Sequence, residues 1–534
     1  LKIEINKIIK KMTVNPPAEK RSRNCTKEEE KNDKQGLKGL VYVALGIAPI
    51  KKTIDMSHAD FKCNVNHAHT PLHHFWEHTV GSSHATMALR ADWQKQLIRC
   101  NRELGFRHVR FHGVLSDDMG TLVNEENELV YSFFNADQIC DFLLSIGMRP
   151  FMELSFMPRA LASGSDTVFH YKGNVTHPKD YDDWETLIKK LVEHWGQRYG
   201  IGEVSQWFFE VWNEPNLDAF WKKTQADYFK LYHHTVNAIK NVHTNLKVGG
   251  PATADNAWIT AFIDYCDKNE VPADFISTHH YPTDAFGKPG DDTITQLSKS
   301  KRSALQKEAK KVKKQAQGKP VYYTEWCSSS NPFDELHDMP YAACFIIKTV
   351  IEANDIVEGY SYWTFSDIFE ENYFSSVPFH GGFGLMNIYG IPKPAYRAYQ
   401  LLHRLGNELL KVTGKHDTVD IWVMRKKDNI NIVITNWALP RHPIKTELVK
   451  VQLDNIKKVK SSFIERIDDN HANARKSWTD MGSPGSLTAN EVSTLELASA
   501  LIMEPFATRQ DGGRVFVEIT VPPQGVAYIT VETE

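Results

Sequence analysis

The sequence predicts an α/β protein: a (β/α)8 TIM barrel with an accessory antiparallel β-sandwich domain. Three observations carry this. From about residue 75 to 405, short apolar runs that read as fully buried strands alternate with amphipathic segments, the rhythm of a parallel sheet covered by helices. The unit recurs eight times, which favours a closed barrel over an open sheet. After about residue 410 the texture changes: VDIWVMRKKDNINIVITNW and GRVFVEITVPPQGVAYITVE alternate with period two around turn residues, as antiparallel sandwich strands do.

Taken in order, the first barrel strand is expected near Phe75–Gly81 and the second over HVRFHGV, 108–114. RPFMELSF (149–156), QWFFEVW (206–212), the short KVGGP (247–251) and DFISTHH (274–280) follow. PVYYTEW (320–326) and GYSYWTF (359–365) complete the eight. Helices fill the gaps, for example 90–104, 135–146, 180–199, 225–243 and 393–405. Asn135 suits an N-cap and Gly147 a C-terminal stop. Four regions result: a charged, flexible leader at 1–36, strands at 37–70 that join the sandwich, a catalytic barrel at 71–408, and a sandwich at 409–534. The leader carries KRSRNCTKEEEKNDKQG, and the segment 40–56 reads as strand.

Composition narrows the partners. With 24% charged residues and a formal net charge of −3, no basic field points to nucleic acid. No run of about 18 apolar residues predicts a membrane span. Seven cysteines, an odd number without a CxxC pair, read as buried free thiols in a reducing, cytoplasmic compartment. A secreted or periplasmic location stays open, because the chain starts at Leu1. No cofactor and no metal are expected. The histidine-rich NHAHTPLHHFWEHTVGSSHA fixes no ligand spacing, and GGFG at 381–384 follows no phosphate-loop pattern. A homo-oligomer stays open.

The chemistry is expected at the C-terminal ends of the strands. The fourth strand runs into Asn213-Glu214-Pro215, and the seventh ends on Glu325. These strands face each other across a closed ring, so the two carboxylates can flank one small substrate. Glycoside hydrolysis needs such a pair: one carboxylic acid protonates the leaving oxygen, and the other attacks the anomeric carbon or activates water. Arg110, pointing into the barrel, must be paired. It either lies beneath the carboxylates and holds Glu325 ionised or pairs structurally with Glu210. Asn213 flanks the acid and can reach a sugar hydroxyl. THHYP places His279 and Tyr281 near the cleft, where a tyrosine can tune the nucleophile.

RFHG (110–113), FMELSFMP (151–158), FEVWNEPNL (209–217), KVGGPA (247–252), YTEW (323–326), YWTFSDIFEE (362–371), FHGGFGL (379–385) and IPKPAYRAY (391–399) together resemble glycoside hydrolase family 39, in particular its β-xylosidases. The resemblance implies Glu214 as general acid/base and Glu325 as nucleophile of a retaining, exo-acting enzyme that releases xylose from β-xylosides or xylo-oligosaccharides. It also implies sugar contacts from His112, Asn213, His279, Tyr281, Trp363, Glu370 and Glu371. His170 stands where the resemblance leads one to expect a larger aromatic. The alternatives are another activity of the same family type (α-L-iduronidase, β-glucosidase or arabinosidase) and a non-catalytic sugar-binding barrel. A uronate substrate needs a cation, whereas Glu370 and Glu371 would repel it.

Overall fold

The computed structural model describes residues 58–126, 128–284, 291–371 and 375–534. The expected leader at 1–36 and the strand reading of 40–56 lie outside these residues. Eight parallel strands close a barrel: β1 Thr79–His84, β2 His108–His112, β3 Arg149–Leu154, β4 Phe208–Val211, β5 Lys247–Thr253, β6 Phe275–His279, β7 Val321–Trp326 and β8 Gly359–Tyr362. The order runs from β1 to β8 around the ring; β8 meets β1 at Tyr362 and Val80. Each strand is followed by a helix of the outer layer: α1 Ala91–Leu104, α2 Phe134–Ser145, α3 Tyr181–Tyr199, α4 Gln225–Val242, α5 Ile259–Lys268, α6 Ala304–Gln315, α7 Pro340–Glu352 and α8 Pro394–His403.

Two local expectations are corrected. The first strand starts at Thr79; Phe75–Glu77 form a 3₁₀ turn instead. The aromatic run looked strand-like because it is buried, but it packs as a turn, with His74 stacked on Trp76 and Glu77 held 2.8 Å from both His74 and His403. Asn135 is not the cap of α2. The cap position is Phe133, without a side-chain bond, and the Asn135 amide donates to Met119 O at 3.0 Å. Gly147 does stop α2: it takes φ 73°, and Met148 N–H reaches back to Leu143 O.

The floor of the barrel is plugged by Phe151, Phe208, Phe275 and Tyr322, with His78 stacked on His108 beside them. Gly249 is required there, since a Cβ would lie 2.5 Å from Phe275 O. The plug leaves only the C-terminal end of the ring open for a site.

The sandwich has a seven-stranded sheet in the order 69–71, 408–410, 419–426, 429–436, 525–533, 459–467 and 504–505. Its five-stranded partner runs 412–413, 58–64, 447–454, 514–521 and 509–511. The strand at 58–64 pairs parallel with 447–454, an exception to the antiparallel expectation. The strands Asn429–Asn436 and Gly525–Thr533 bury both faces. Ile430, Ile432, Ile434 and Ile529 meet the opposite sheet, while Val433, Trp437 and Tyr528 join the barrel core. The helices Ala474–Asp480 and Ala489–Ala498 stand between sandwich strands, where only strands were expected. Among the described residues no helix is long and apolar enough to cross a membrane.

Candidate active site

Charged residues inside a barrel must be paired, and here the pairing builds the site from below. Arg110, in β2, is fully buried and uses its whole guanidinium. Nε donates to Glu210 at 2.6 Å, Nη1 to Glu325 at 2.8 Å, and Nη2 to Asn213 at 3.0 Å, with Glu153 2.7 Å from Nη2. Arg110 thus pairs with Glu210 and also reaches Glu325, the contacts that the two sequence readings called for. Burial works against its charge, and Glu210, Glu153 and Glu325 more than offset that, so its pKa lies above the ordinary arginine value.

His112 ends β2 and sits 2.7 Å from Glu153 and 3.3 Å from Glu371. Burial disfavours its charge, but the Glu153 carboxylate outweighs this and pushes its pKa up to about 10. Glu153 also accepts from Ser155, and although burial opposes it, the cations at His112 and Arg110 hold its pKa below the usual range.

The regular strand β4 ends at Val211, and the chain then leaves β geometry. Trp212 takes φ 70° and Glu214 φ 42°. Non-glycine residues persist there only when their surroundings hold them. Trp212 Nε1–H donates to Phe220 O at 2.8 Å, and Glu214 N–H to Ala252 O at 2.8 Å. Glu214 is thus aimed by a strained turn tied to β5, rather than by strand alternation.

From β6, His279 Nδ1 lies 2.9 Å from Glu214 Oε1, and Nε2 lies 3.1 Å from Thr324 Oγ1. Tyr281 donates to Glu325 Oε2 at 2.9 Å. One polar atom each of Glu214, His279 and Glu325 lies within 4.8 Å of the other two. Burial pushes both carboxyls up. On Glu214 it outweighs the attraction of His112 and Arg110, and the pKa reaches about 7. Glu325 is also raised by burial, against His279 and Arg110. In such a coupled pair the first proton belongs where the anion is least supported. Glu325 receives Arg110 and Tyr281, an asymmetry that favours a proton on Glu214 over one on Glu325. One carboxyl can then give a proton while its neighbour attacks as an anion.

Above the pair opens a cavity of about 860 Å³, lined at its inner end by His112, Asn213, Trp363, Glu371 and Phe383. Tyr281, Glu214 and Glu325 also line it. The remaining expected site residues do not. Arg110 lies beneath, His279 lies behind Glu214 and is fully buried, and the Glu370 carboxylate meets His170 at 2.8 Å and His84 at 3.5 Å. Reading the sequence missed Glu153, Thr324 and the wall aromatics Phe169 and Phe220. Glu153 had a signal: it is a lone carboxylate inside the apolar run FMEL, which obliges a buried cation nearby. The FHGGFGL and IPKP motifs turn out to brace the strand-eight loop. Lys393, fully buried, lies 2.6 Å from both Asp338 and Asp367 and donates to Gly382 O.

The model of the family described as Glycosyl hydrolases family 39 matches residues 60–515. The chain is 50% identical over 467 residues to a β-xylosidase of Caldicellulosiruptor saccharolyticus, covering 86% of this chain and 96% of that one. It is 37% identical to a β-xylosidase of Geobacillus stearothermophilus, covering 86% and 92%. In structure it is similar to a monomeric β-xylosidase from Caulobacter crescentus CB15, with TM-score 0.79 and 34% identity over 89% of this chain and 99% of that one. A barrel carrying its paired carboxyls at the ends of the fourth and seventh strands, matched over this length, belongs to glycosyl hydrolases family 39, a family of retaining glycosidases.

Proposed function

We infer that this chain releases xylose from the non-reducing end of β-xylosides by double displacement, with Glu214 as general acid/base and Glu325 as nucleophile. The observation that carries the roles is the asymmetry of the close pair. Arg110 and Tyr281 both donate to Glu325, while Glu214 is buried and pushed up to about 7. In the first step a Glu325 oxygen bonds the anomeric carbon as the glycosidic bond breaks, and the Glu214 proton goes to the leaving oxygen. In the second, water attacks the same carbon, its proton goes to Glu214, and the ester bond to Glu325 breaks. One oxygen of each carboxyl lies within 4.8 Å of one on the other, a closeness that supports retention over inversion, for which the carboxyls stand about 6.5–9.5 Å apart to seat a water.

The cavity supports exo action. Its inner end is made of buried Trp363, His112 and Glu371, while Asp255 at the outer end has a side chain 84% exposed. Trp363 and Glu371 are the groups placed to exclude a hydroxymethyl at C5. Glu370, engaged by His84 and His170, contributes to that wall only indirectly. On this reading residues 71–408 are the catalytic unit, and the described residues 58–70 with 409–534 the accessory one. The described cysteines, Cys63, Cys100, Cys140, Cys266, Cys327 and Cys344, are all free and buried, which supports a reducing compartment.

The test is kcat/KM for aryl β-xyloside, β-glucoside and α-L-arabinoside. Xyloside should lead glucoside by at least roughly 100-fold, about 2.7 kcal/mol in transition-state binding. Trp363→Ala should narrow the gap while slowing xyloside turnover. Equal wild-type rates on xyloside and glucoside would remove the xylose assignment.

A further inference from the structure

We propose that Thr324 and Glu210 are positioning residues that fix the tautomer of His279 and so keep the acid proton on Glu214 in the resting enzyme. This rests on the role given to Glu214 above and goes beyond it, because it says what holds that proton.

The argument is a count of hydrogens along one buried chain. Glu210 accepts at both oxygens: Oε2 from Arg110 at 2.6 Å, and Oε1 from Thr324 Oγ1 at 2.7 Å. A threonine hydroxyl has one proton, and Thr324 has given it to Glu210. Toward His279 Nε2, 3.1 Å away, Thr324 can therefore only accept, so Nε2 carries the ring hydrogen. His279 is fully buried, and burial, against the pull of Glu325, lowers its pKa to about 4. Near neutral pH the ring has a single N–H, and Nδ1 is bare. That bare nitrogen faces Glu214 Oε1 at 2.9 Å. Two lone pairs at that distance repel, whereas a carboxylic O–H pointing at Nδ1 makes a hydrogen bond. Glu214 is the donor.

The groups around this chain leave the direction intact. Glu325 Oε2 lies 3.7 Å from Nδ1, beyond hydrogen-bond distance, and is turned toward Tyr281, while Oε1 accepts from Arg110. Arg110 and His112 favour the Glu214 anion, while Glu153 disfavours it. Glu371 and Tyr281 complete the set facing the acid. The arrangement serves both half-reactions. Delivery needs only that the carboxyl turn its O–H from Nδ1 to the leaving oxygen. Afterwards the Glu214 anion faces a bare nitrogen that cannot donate to it, which favours recapture of a proton from the attacking water.

Two measurements test the proposal. In free wild-type enzyme labelled with 15N-histidine, the ring signals missing from His279→Gln should belong to an Nε2–H tautomer; an Nδ1–H tautomer overturns it, whatever the substrate proves to be. The second is the alkaline limb of kcat/KM on whichever aryl glycoside is turned over. Thr324→Val removes the acceptor for Nε2–H, which frees the ring to carry its hydrogen on Nδ1 and stabilise the Glu214 anion. That limb should move to lower pH by about one unit, roughly tenfold in rate at a fixed pH on the limb. Thr324→Ser keeps the hydroxyl and should restore it. Coincident limbs in wild type, Thr324→Val and Thr324→Ser overturn the proposal. Loss of all xyloside turnover in wild type would instead strike the substrate reading, with the tautomer measurement still decisive here.

Discussion

Glu214 and Glu325 are the same side chain in one cavity, and only their neighbours make them different. A carboxyl with a raised pKa keeps its proton to higher pH, so the acid form of Glu214 is present below about 7 and lost above it. Cleavage of a poor leaving group should fall as pH rises through about 7, and fall again at low pH as Glu325 is protonated. A kcat/KM profile measures both limbs. The upper one should vanish in Glu214→Ala with an activated leaving group; a limb left in place would assign the acid to another residue. Azide distinguishes the carboxyls by stereochemistry. In Glu325→Gly it occupies the space of the nucleophile and should give the α-glycosyl azide, whereas in Glu214→Gly it attacks the covalent intermediate and should give the β-azide. NMR of the products reads this, and exchanged anomers would exchange the roles. Tyr281→Phe removes a donor to an anion worth about 1.5–3 kcal/mol, or roughly 10- to 100-fold in kcat/KM. It should also move the acid limb upward, because the Glu325 anion loses support.

At the scale of elements, the segments beyond β7 and β8 position the inner wall through a buried ion cluster. Lys393 sits between Asp338 and Asp367, which in turn accept from Gly381 N–H and Gly384 N–H, both at 2.7 Å. Removing the Lys393 cation leaves two buried carboxylates without the counter-charge they share among the described residues. Lys393→Met should therefore lower stability by about 3–5 kcal/mol. Denaturant unfolding measures the loss, and a change under about 1 kcal/mol would mean that the cluster is not coupled to folding. Gly381→Ala should act in the same direction, since a Cβ would lie 2.7 Å from Asp334 O at φ 79°.

At the scale of the molecule, the sandwich is a wall of the barrel. Trp437 packs against Tyr341 and Phe345 of α7, and Arg404, just after α8, reaches Glu465 at 2.9 Å. The strands at 58–64 and 69–71 precede the barrel yet pair within the two sandwich sheets. Calorimetry should therefore show barrel and sandwich unfolding in one transition. A chain cut to residues 58–408 should be insoluble or inactive, since it exposes the aromatic face of α7. Two separated transitions, or an active truncated barrel, would contradict this coupling.

The eight strands were legible because buried parallel strands are short apolar runs punctuated by helices, and that pattern is local. The carboxyl pair was legible for the same reason: Asn213-Glu214-Pro215 and YTEW stop their strands at the mouth of the ring. Sequence also placed Arg110 among acids, because a charge in an apolar run demands a partner. It could not choose between Glu210 and Glu325, and the fold uses both. What only the tertiary structure decided is whatever depends on distance between elements. Examples are the strained turn, tied to Ala252, that aims the Glu214 carboxyl at His279, the turning of Glu370 toward His84 and His170 while Glu371 meets His112, and the use of Thr324 to order the proton on His279. Periodicity reports which face a side chain takes. Which atom it meets across the barrel, and hence which of two carboxyls holds the proton, is set by contacts between residues 41 to 215 positions apart.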